Sequence, residues 1–403
     1  MKLIEVKSER DRKEFLRLPL RIYKNYPNWI RPLDKDIEAV FDTEKNKFFR
    51  HGDCIRWILQ NEQGKTIGRI AAFYSSKNAN KDNKQPTGGI GFYESIDDQH
   101  AADALFDRAK EWLQSKGMEA MDGPINFGER DRFWGLLIEG FDIDPNYLCN
   151  YTPPYYQALF ENYGFKLYFN QITFGRPIRK KLSNKILDKA ERIKQEPKYH
   201  FEHIKKSRIE KYTQDFLTIY NQAWGSHKGV AKLSIRQANA IMKSIKPVMD
   251  EKLIWFGYYN NEPIAFFLML PEVNQIFKYV NGKLDIVGKL KFLYHKMLNT
   301  NKKVTGTAFG IVPAHQGKGL EGALIMAAGE LVQGKYGRHY DDIEMNWIGD
   351  FNPRMIHVCE QIDAVPVKTH RTYRYLFDTS LPVERHPIIG EKKKKKDKID
   401  KDA

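Results

Sequence analysis

The sequence predicts an α+β fold built from two similar halves, each a mixed and mostly antiparallel sheet flanked by helices. In both halves the same patterns follow one another: a hairpin of two strand-like runs, a third strand, a helix, a strand, a helix and a last strand. The offset between the halves is nearly constant, since Ile67 matches Ile264 at 197 positions and Gly164 matches Asp363 at 199 positions. We therefore expect two copies of one domain in tandem.

The first half begins with a predicted strand at residues 1–6 and a helix at residues 8–26, which Pro19 interrupts. Its further predicted elements are a hairpin at 54–59 and 66–73, a strand at 89–93, a helix at 97–116, a strand at 120–124, a helix at 154–163 and a strand at 165–174. We assign residues 1–177 to this domain and the charged stretch 178–209 to a helical linker.

The second half repeats the plan over residues 210–380. Its predicted elements are helices at 215–224 and 234–249, a hairpin at 253–258 and 264–270, a strand at 304–311, a glycine loop with its helix, a strand at 341–347, a helix at 352–362 and a strand at 367–377. Residues 381–403 are predicted to be a disordered, lysine-rich tail, because the lysine run 392–396 is typical of a solvated segment; contact with nucleic acid or a membrane is the alternative.

Cysteine usage and hydropathy predict a cytoplasmic protein. The three cysteines, Cys54, Cys149 and Cys359, are far apart and form neither a CxxC pair nor a metal-ligand spacing, so we expect free thiols and no metal. The first residues run directly into charged side chains and do not predict a secretory signal. The longest apolar run, 264–270, is far shorter than the roughly 20 residues that span a bilayer.

The chain is basic, with a formal net charge of +15. Seven lysines and four acidic residues in 391–403 supply +3 of that charge, so the body carries about +12. Such a body can attract nucleic acid, anionic lipid or an anionic cofactor. Because the sequence shows neither a basic recognition helix nor an aromatic RNA-binding motif, no DNA partner is expected.

The most informative stretch is the glycine-rich loop from Val312 to Ile325, which lies between a strand-like run and an apolar helical run. Glycines allow successive N–H groups to point into one concavity, and the helix N-terminus adds partial positive charge. This arrangement suits a phosphate or pyrophosphate, although many helices also follow glycine for packing reasons alone.

This loop resembles motif A of the GNAT N-acyltransferase superfamily. Gln316, Gly317, Gly319 and Leu320 fit the pattern, whereas Glu321 stands where a small residue is usual. Residues 352–362, and in the first half 155–165, resemble motif B of the same superfamily. The first half has acidic residues within 92–98 in place of the loop, so the chain resembles bacterial tandem-GNAT proteins with a degenerate first copy.

The resemblance implies acetyl-CoA or another acyl-CoA as co-substrate and direct attack of an amine on the thioester. Backbone N–H groups of the loop would hold the pyrophosphate, and the end of the preceding strand would orient the thioester carbonyl. The implied coenzyme-binding residues are Ile311, Val312, Gln316, Gly317, Lys318, Gly319, Leu320, Glu321, Gly322 and Asn352. Asn352 can instead cap its helix, with Pro353 at the first helical position. Glu321 would oppose a pyrophosphate unless it turns outward or pairs with Lys318.

The catalytic groups are harder to assign. Cys359 stands where the family usually has a tyrosine that protonates the leaving thiolate, so Tyr373 or Tyr375 on the last strand are the candidates for that role. The central strand offers Thr305 and Thr307 and no carboxylate. Glu344 and Asn346 alternate to one face of the next strand and are therefore the candidate base or water relay. His227 and His357 are expected to be solvated or packed.

A long segment of the first half, 123–156, is dense in glycine, proline, aromatic and polar residues. Loops of this length in compact domains are commonly functional. We predict that it lines the acceptor site, with substrate contacts from Asn126, Asp131, Arg132, Asn150 and Tyr155. The alternative is an aromatic-packed loop that joins the two domains.

Three functions remain open from the sequence. The favoured one is an N-acyltransferase that acylates a small-molecule amine from acyl-CoA. The second is a coenzyme-binding protein without activity, in line with Glu321, Cys359 and the missing strand carboxylate. The third is an aminoacyltransferase of the tandem-GNAT peptidoglycan-bridge type, which would use aminoacyl-tRNA and has no need of the glycine loop.

Overall fold

The computed structural model describes residues 1–81, 83–223, 232–334, 337 and 339–390. His227, Trp224 and the lysine run 392–396 lie outside these residues. The prediction of disorder is wrong for 381–390, where His386 N–H donates to Tyr168 O at 3.0 Å and Ile389 N–H donates to Phe351 O at 2.8 Å. The strands are β1 Lys2–Glu5, β2 Gly52–Gln60, β3 Thr66–Ser75, β4 Thr87–Ser95, β5 Ala120–Gly123, β6 Leu136–Glu139, β7 Lys166–Pro177, β8 Tyr199–His203, β9 Ile254–Tyr259, β10 Glu262–Pro271, β11 Lys303–Ile311, β12 Asp342–Gly349 and β13 Val365–Leu376.

The helices follow the predicted order, with additions. They are α1 Glu9–Ile22, α2 Asp34–Phe41, α3 Ser76–Ala79, α4 Gln99–Ser115, α5 Tyr156–Tyr163, α6 Asn184–Gln195, α7 Ile209–Ala223, α8 Ile235–Ile245, α9 Asn274–Phe277, α10 Ile286–Met297, α11 Leu320–Gln333 and α12 Pro353–Gln361. The α+β prediction is confirmed. Helices α2, α3, α9 and α10 are not among the predicted elements, and Pro19 lies inside α1 without ending it.

Local chemistry explains the second-half hairpin. Asn260 and Asn261, between β9 and β10, both have positive φ angles of 48° and 66°. Consecutive positive φ angles define the tight turn whose twist matches that of paired strands, and asparagine tolerates them better than most residues. The hairpin therefore forms where the sequence predicts it.

All the strands belong to one sheet. Along its main path the order is β1-β2-β3-β4-β5-β13-β7-β12-β11-β10-β9-β8, and β6 pairs with β13 off this path. The pairs β4–β5 and β11–β12 are parallel, and the remaining pairs are antiparallel. The order is symmetric about the β13–β7 pair, which is the arrangement expected of two related halves.

The last strand of each half is exchanged. β7, from the first half, pairs with β12 of the second, and β13, from the second half, pairs with β5 of the first. The cores follow the strands: Tyr373 and Tyr375 pack in the first half's core, and Phe174 packs against Met345 and Cys359 in the second half. Neither sheet nor core is complete within residues 1–177 or 210–380 alone.

The predicted linker is partly structured as sheet. Within 178–209, α6 packs against α11, and β8 pairs with β9 at the edge of the sheet. Ala190 and Ile193 of α6 join the large core of the second half together with Ile204. This stretch therefore contributes a strand and a packed helix to the second half.

Candidate functional site

The two parallel strands of the second half separate into a fork. β11 and β12 pair from Lys303 opposite Asp342 to Gly306 opposite Met345, and both strands then continue without pairing to each other. β12 pairs on its other side with β7. The edge of β11 beyond Gly306 is thereby left without a strand partner, and Thr307 is exposed in the middle of the sheet.

A β-bulge lies at the point where the fork opens. On β10, Leu268 pairs with Ala308 and Met269 with Gly306, so Thr307 is the extra residue. Its hydroxyl donates to Leu268 O at 3.2 Å. A bulge bends its strand and re-aims the backbone, which moves the end of β11 away from β12.

Main-chain groups at the end of β11 point into the fork. Val312 N–H donates to Ile264 O at 2.9 Å, on the β10 side. Because successive residues of a strand direct their N–H groups to opposite edges, Ile311 and Phe309 direct theirs into the fork. Gln316 Nε2 donates to Ile311 O at 2.9 Å and fixes the loop to the strand end. The predicted contact between Val312 and the thioester carbonyl does not fit, since the Val312 N–H already donates to Ile264 O.

The loop has the backbone geometry that its glycines predict. Gly317 and Gly319 have φ angles of 73° and 92°, a region that other residues rarely adopt. Gly319 O accepts the hydrogen bond of Ala323 N–H at 3.2 Å. The N–H groups of Leu320, Glu321 and Gly322 precede this first helical bond and form the N-terminal end of α11. Such an end can bind an anion.

Glu321 points into the loop. Its Oε1 lies 3.4 Å from Gly317 N, as the acceptor of a long hydrogen bond. Among the residues that the structure describes, no ion pair joins Glu321 to Lys318, whose side chain is exposed. Of the two arrangements expected from the sequence, outward rotation and pairing with Lys318, neither is adopted. The carboxylate occupies the position that a phosphate oxygen would need.

Helix α6 supplies a cation that the sequence did not point to. A Cβ added to Gly319 would lie 3.4 Å from Lys189 Cβ and 3.6 Å from Ile193 Cδ1, so α6 borders the loop. The exposed Lys189 side chain therefore starts beside the N-terminal end of α11, whereas Lys194 is paired with Glu330 at 2.8 Å. The sequence predicts residues 178–209 as a linker, and the dispersed charges of this stretch do not indicate that α6 borders the glycine loop.

The equivalent fork in the first half is filled by the chain itself. β4 and β5 pair from Thr87 to Gly89 and then separate, but Ile125 N–H donates to Ile90 O at 2.7 Å. A Cβ added to Gly91 would lie 1.9 Å from Ile125 O. At the start of α4, Asp98 Oδ1 accepts from His100 N at 2.8 Å. The main chain thus occupies this fork, and a carboxylate occupies the helix end.

Glu344 is buried between two lysines. Lys368 Nζ donates to its Oε2 at 2.6 Å, and Lys303 Nζ donates to its Oε1. Burial opposes its ionisation, but the charges of Lys368 and Lys303 outweigh burial and lower the pKa of Glu344. A general base must have a free lone pair and a pKa near the working pH. The prediction of Glu344 as base therefore does not fit its contacts.

A second buried carboxylate, which the sequence did not single out, ends β10. Glu272 accepts from Tyr147 N and Asn274 N at 2.9 Å each and from Thr305 Oγ1 at 2.7 Å. Burial raises the pKa of Glu272 against the effect of these three donors. Its position directly after an apolar hairpin strand was the available signal.

Asn346 lies on the part of β12 beyond the fork. Its Oδ1 accepts from Thr173 Oγ1 at 3.2 Å, and its Nδ2 lies 2.8 Å from Cys149 Sγ. Burial raises the pKa of Cys149 to about 12, so the thiol stays protonated. Asn352 accepts from Met355 N at 3.3 Å and thus caps α12, the alternative that the sequence offered for it.

The two tyrosines that the sequence offers as the acid lie away from the β11–β12 fork. Tyr373 is packed in the first half's core and donates to Glu161 at 2.9 Å, and Tyr375 packs against Tyr163 and Phe165. The strand exchange carries both tyrosines away from the β11–β12 fork, so the prediction that they serve it is wrong in position. Burial raises the pKa of Cys359 to about 12, and its thiol contacts Met345 within a core.

The long loop reaches the second half, but not through all the predicted residues. Asp144 O and Asn146 Oδ1 accept from Lys368 Nζ at 3.0 and 2.9 Å, and Tyr147 packs against Phe277. Cys149 contacts Asn346, as above. These contacts join the halves, as the second interpretation of the loop expects.

The five predicted acceptor residues are dispersed. Tyr155 donates to Ser95 O at 2.8 Å within the first half, and Asn150 Nδ2 donates to Gly135 O at 2.8 Å. Asp131 and Arg132 are exposed, with 3.9 Å between their charged groups. Asn126 is buried and contacts Glu129 O at 3.5 Å. The described contacts do not bring these residues into one pocket.

A cavity lies apart from the glycine loop. It has a volume of about 410 Å³ and is lined by residues that flank the start of β9, the end of β10 and one side of α10, including Met249, Pro271, Phe292, Lys296 and Asn301. The loop follows the opposite end of β11. Over the described residues, no group of three or more His, Cys, Asp or Glu side chains is placed to hold a metal ion.

Two curated proteins are similar to this chain over nearly all of its length. Bacterial ceramide synthase of Caulobacter vibrioides is 25% identical over 390 residues, which cover 93% of this chain and 97% of that protein. Protein YghO of Escherichia coli is 26% identical over 376 residues, covering 91% and 93% respectively. No model of a known protein family matches the chain.

Solved structures establish the fold. A GCN5-related glucosamine N-acetyltransferase region of a fungal multi-domain β-N-acetylglucosaminidase superposes with a TM-score of 0.54 at 12% identity, covering 93% of this chain and 38% of that one. A tandem GNAT protein from the clavulanic acid biosynthesis pathway superposes with a TM-score of 0.52 at 9% identity, covering 95% and 99%. The chain therefore has the GNAT fold.

None of the helices in the described residues is long and apolar enough to cross a membrane.

Proposed function

We propose that this protein is an N-acyltransferase that transfers an acyl group from acyl-CoA to an amine. The observation that carries the proposal is the open fork between β11 and β12, which begins at the Thr307 bulge and leads to the glycine loop. An extended pantetheine arm can pair with a free strand edge, and its pyrophosphate can bind the helix end that follows. The GNAT fold supports a transferase of this class.

The main chain and nearby cations would bind the coenzyme. The N–H groups of Gly317 and of the first turn of α11 would donate to the pyrophosphate, and Lys318 and Lys189 would add positive charge. The Ile311 N–H, which points into the fork, would donate to the thioester carbonyl. The same donor would stabilise the oxyanion as the amine attacks.

Only the second half is proposed to bind coenzyme. In the first half, Ile125 pairs with Ile90 inside the fork, and Asp98 occupies the N-terminus of α4. A bound pyrophosphate would have to displace both a main-chain hydrogen bond and a carboxylate there. We expect one acyl-CoA per chain.

The acceptor is proposed to be a small-molecule amine. One full-length relative is named bacterial ceramide synthase, and a ceramide is an amide of a long-chain amino alcohol. A long-chain amino alcohol therefore belongs in the acceptor panel beside short polar amines. Because Glu344 is held by two lysines, Asn346 is proposed to position a water that passes the proton lost by the attacking neutral amine to the leaving coenzyme thiolate, which departs as the thiol.

Calorimetry and thiol release test the proposal together. The protein should bind acetyl-CoA or a longer acyl-CoA at a stoichiometry of one, and free thiol should appear when the correct amine is added. Coenzyme binding without thiol release across the panel would favour the inactive coenzyme-binding alternative. Absence of binding to all acyl-CoAs would refute the proposal and would leave the alternative that uses aminoacyl-tRNA as the donor.

A matched pair of glycines isolates the loop. Gly317 and Gly64 both have φ of 73°, and a Cβ added to either meets no atom within 4 Å. An alanine costs roughly 1–2 kcal/mol in this region, so both variants should lose similar stability. Only Gly317→Ala should weaken acyl-CoA binding, by about 5- to 30-fold, because only Gly317 belongs to the proposed site.

A further inference from the structure

The connection between β10 and β11 is long and carries a helix with an unusual orientation. It comprises residues 272–302 and contains α9 and α10, whereas in the equivalent connection between β3 and β4, residues 76–86, the described part contains α3 as its one helix. The second half therefore has an added surface element next to the sheet that holds the proposed coenzyme site.

The apolar side of α10 faces solvent. Ile286, Leu290, Leu293 and Met297 recur at intervals that place them on one face of a helix, and they are 76%, 62%, 54% and 83% exposed. Val287, Tyr294 and Leu298 extend this stripe and are also more than half exposed. A surface helix of a globular protein normally turns such a stripe toward the core.

The opposite side of α10 is anchored, so the helix cannot simply roll inward. The Phe292 ring packs 5.5 Å from that of Phe277, and the His295 ring stacks 3.8 Å from that of Tyr279. Gly288 lies so close to the main chain that an added Cβ would be 2.1 Å from Lys283 O. Phe292 also belongs to an apolar cluster that includes Leu33 and Val248, which lie outside this connection, so the rest of the protein holds the apolar stripe in its outward orientation.

Lysines border the stripe. At 100° per residue, Lys289 and Lys296 lie along one edge of the apolar face and Lys291 lies along the other. Residues 278–298 contain five lysines and a single acidic residue, Asp285. Asp285 is engaged as the helix cap, accepting from Gly288 N at 2.9 Å. Lys278 pairs with Asp144 of the long loop at 3.7 Å, and Lys296 Nζ donates to Pro247 O at 2.7 Å. Lys283, Lys289 and Lys291 are exposed and leave the surface around the stripe positive.

We propose that α10 is a docking helix for an anionic lipid surface. A helix with an apolar face and a lysine-rich border lies in the plane of a membrane, with its apolar side chains at the boundary between headgroups and acyl chains. Charge complementarity favours this occupant over a second copy of the chain, since two such faces would bring their lysine borders together. The inference does not depend on the acyltransferase proposal.

Vesicle flotation of the full-length protein tests the inference. The probes are vesicles of phosphatidylcholine alone and of phosphatidylcholine with 30% phosphatidylglycerol, each at low and high salt. We expect at least tenfold tighter binding to the anionic vesicles, and weaker binding as salt rises. No acyl-CoA or amine is present, so the result is separate from any test of catalysis.

Variants on exposed positions assign the effect to α10. The double variant Leu290→Glu/Leu293→Glu should reduce binding to anionic vesicles at least tenfold, and Lys289→Gln/Lys291→Gln should reduce its salt dependence. Ile235→Glu on α8 is the control, because Ile235 is also exposed, at 46%, but lies outside the stripe. The basic residues 391–403 are common to all variants and cannot cause a difference between them.

Three results would overturn the inference. The first is that wild-type protein does not bind anionic vesicles. The second is that the Leu290→Glu/Leu293→Glu variant folds by circular dichroism and binds the vesicles as tightly as wild type. The third is a dimer, detected by light scattering, that the double variant dissociates while neither protein binds vesicles. In that case the apolar stripe would be an interface between copies of the chain.

Discussion

Replacement of Glu321 by glutamine should tighten acyl-CoA binding. The Glu321 carboxylate lies 3.4 Å from Gly317 N, and a phosphate oxygen on that N–H would take up almost the same space. Coenzyme binding therefore requires the carboxylate to move aside while it stays close to a like charge. Glutamine keeps the shape of the side chain and removes the charge.

The structure sets the expected size of the effect. Two unit charges about 5 Å apart repel by about 0.8 kcal/mol at the dielectric constant of water and about 3 kcal/mol at an effective value of 20. Because Glu321 is half-buried at a loop, we expect a gain between these limits, of about 1–3 kcal/mol. This corresponds to roughly 5- to 150-fold tighter binding.

Titration calorimetry with acetyl-CoA at two salt concentrations measures this gain. Glu330→Gln on the same helix is the control, because Glu330 lies nine residues further along, about 13 Å away, and is screened at physiological salt. The advantage of Glu321→Gln should shrink as salt rises. Unchanged or weaker binding by Glu321→Gln, with Glu330→Gln behaving as wild type, would refute the placement of pyrophosphate in this loop.

Two further predictions concern stability and folding. Lys368→Met should destabilise the protein by about 3–5 kcal/mol in urea unfolding, because it leaves Glu344 buried with Lys303 as its remaining cation. As a control, Lys7→Met removes an exposed ion pair and should change the free energy of unfolding by less than about 1 kcal/mol. The pKa of Glu344 is lowered in the folded state, so its contribution to stability is present above the ordinary carboxyl pKa and is lost as the pH falls. The stabilities of wild type and Lys368→Met should therefore converge in acid. Parallel profiles of stability against pH would contradict this. The second prediction concerns the two halves, residues 1–177 and 178–390. Because β7 and β13 are exchanged, each half produced separately should lack a near-ultraviolet circular dichroism signal, and co-expression should restore it. A single half that folds cooperatively would contradict the role of the exchange.

Hydrophobic periodicity and turn chemistry were sufficient to predict the fold class and most of its elements. The hairpin at Asn260 and Asn261 and the positive φ angles of Gly317 and Gly319 follow from local backbone preferences, which the sequence expresses directly. The exchange of β7 and β13 could not be predicted in this way. Two related halves present the same edge to a last strand, so local patterns are satisfied whichever copy receives it.

The errors in the candidate site follow from long-range contacts. The position of Tyr373 on the last strand of the second half predicts a place near the β11–β12 fork, but the strand exchange moves Tyr373 into the core of the first half. Alternation along β12 correctly turned Glu344 inward, but its lysine partners come from β11 and β13. The apolar residues of α10 recur with a helical period, yet the predicted elements include no helix at 286–297. A period shows that a helix is amphipathic and does not show which side is buried.

The exchanged strands also determine when the first half can finish folding during synthesis. Its core includes Tyr373 and Tyr375 of β13, which the ribosome makes about 200 residues after the end of β7. At roughly 5–20 residues per second, that interval lasts about 10–40 s. Throughout it, the edge of β5 that β13 later covers is an unpaired strand edge, and such edges invite pairing with other chains. The first half therefore cannot follow the usual order in which an N-terminal domain folds before the next is made, because its core is completed only when β13 has been synthesised.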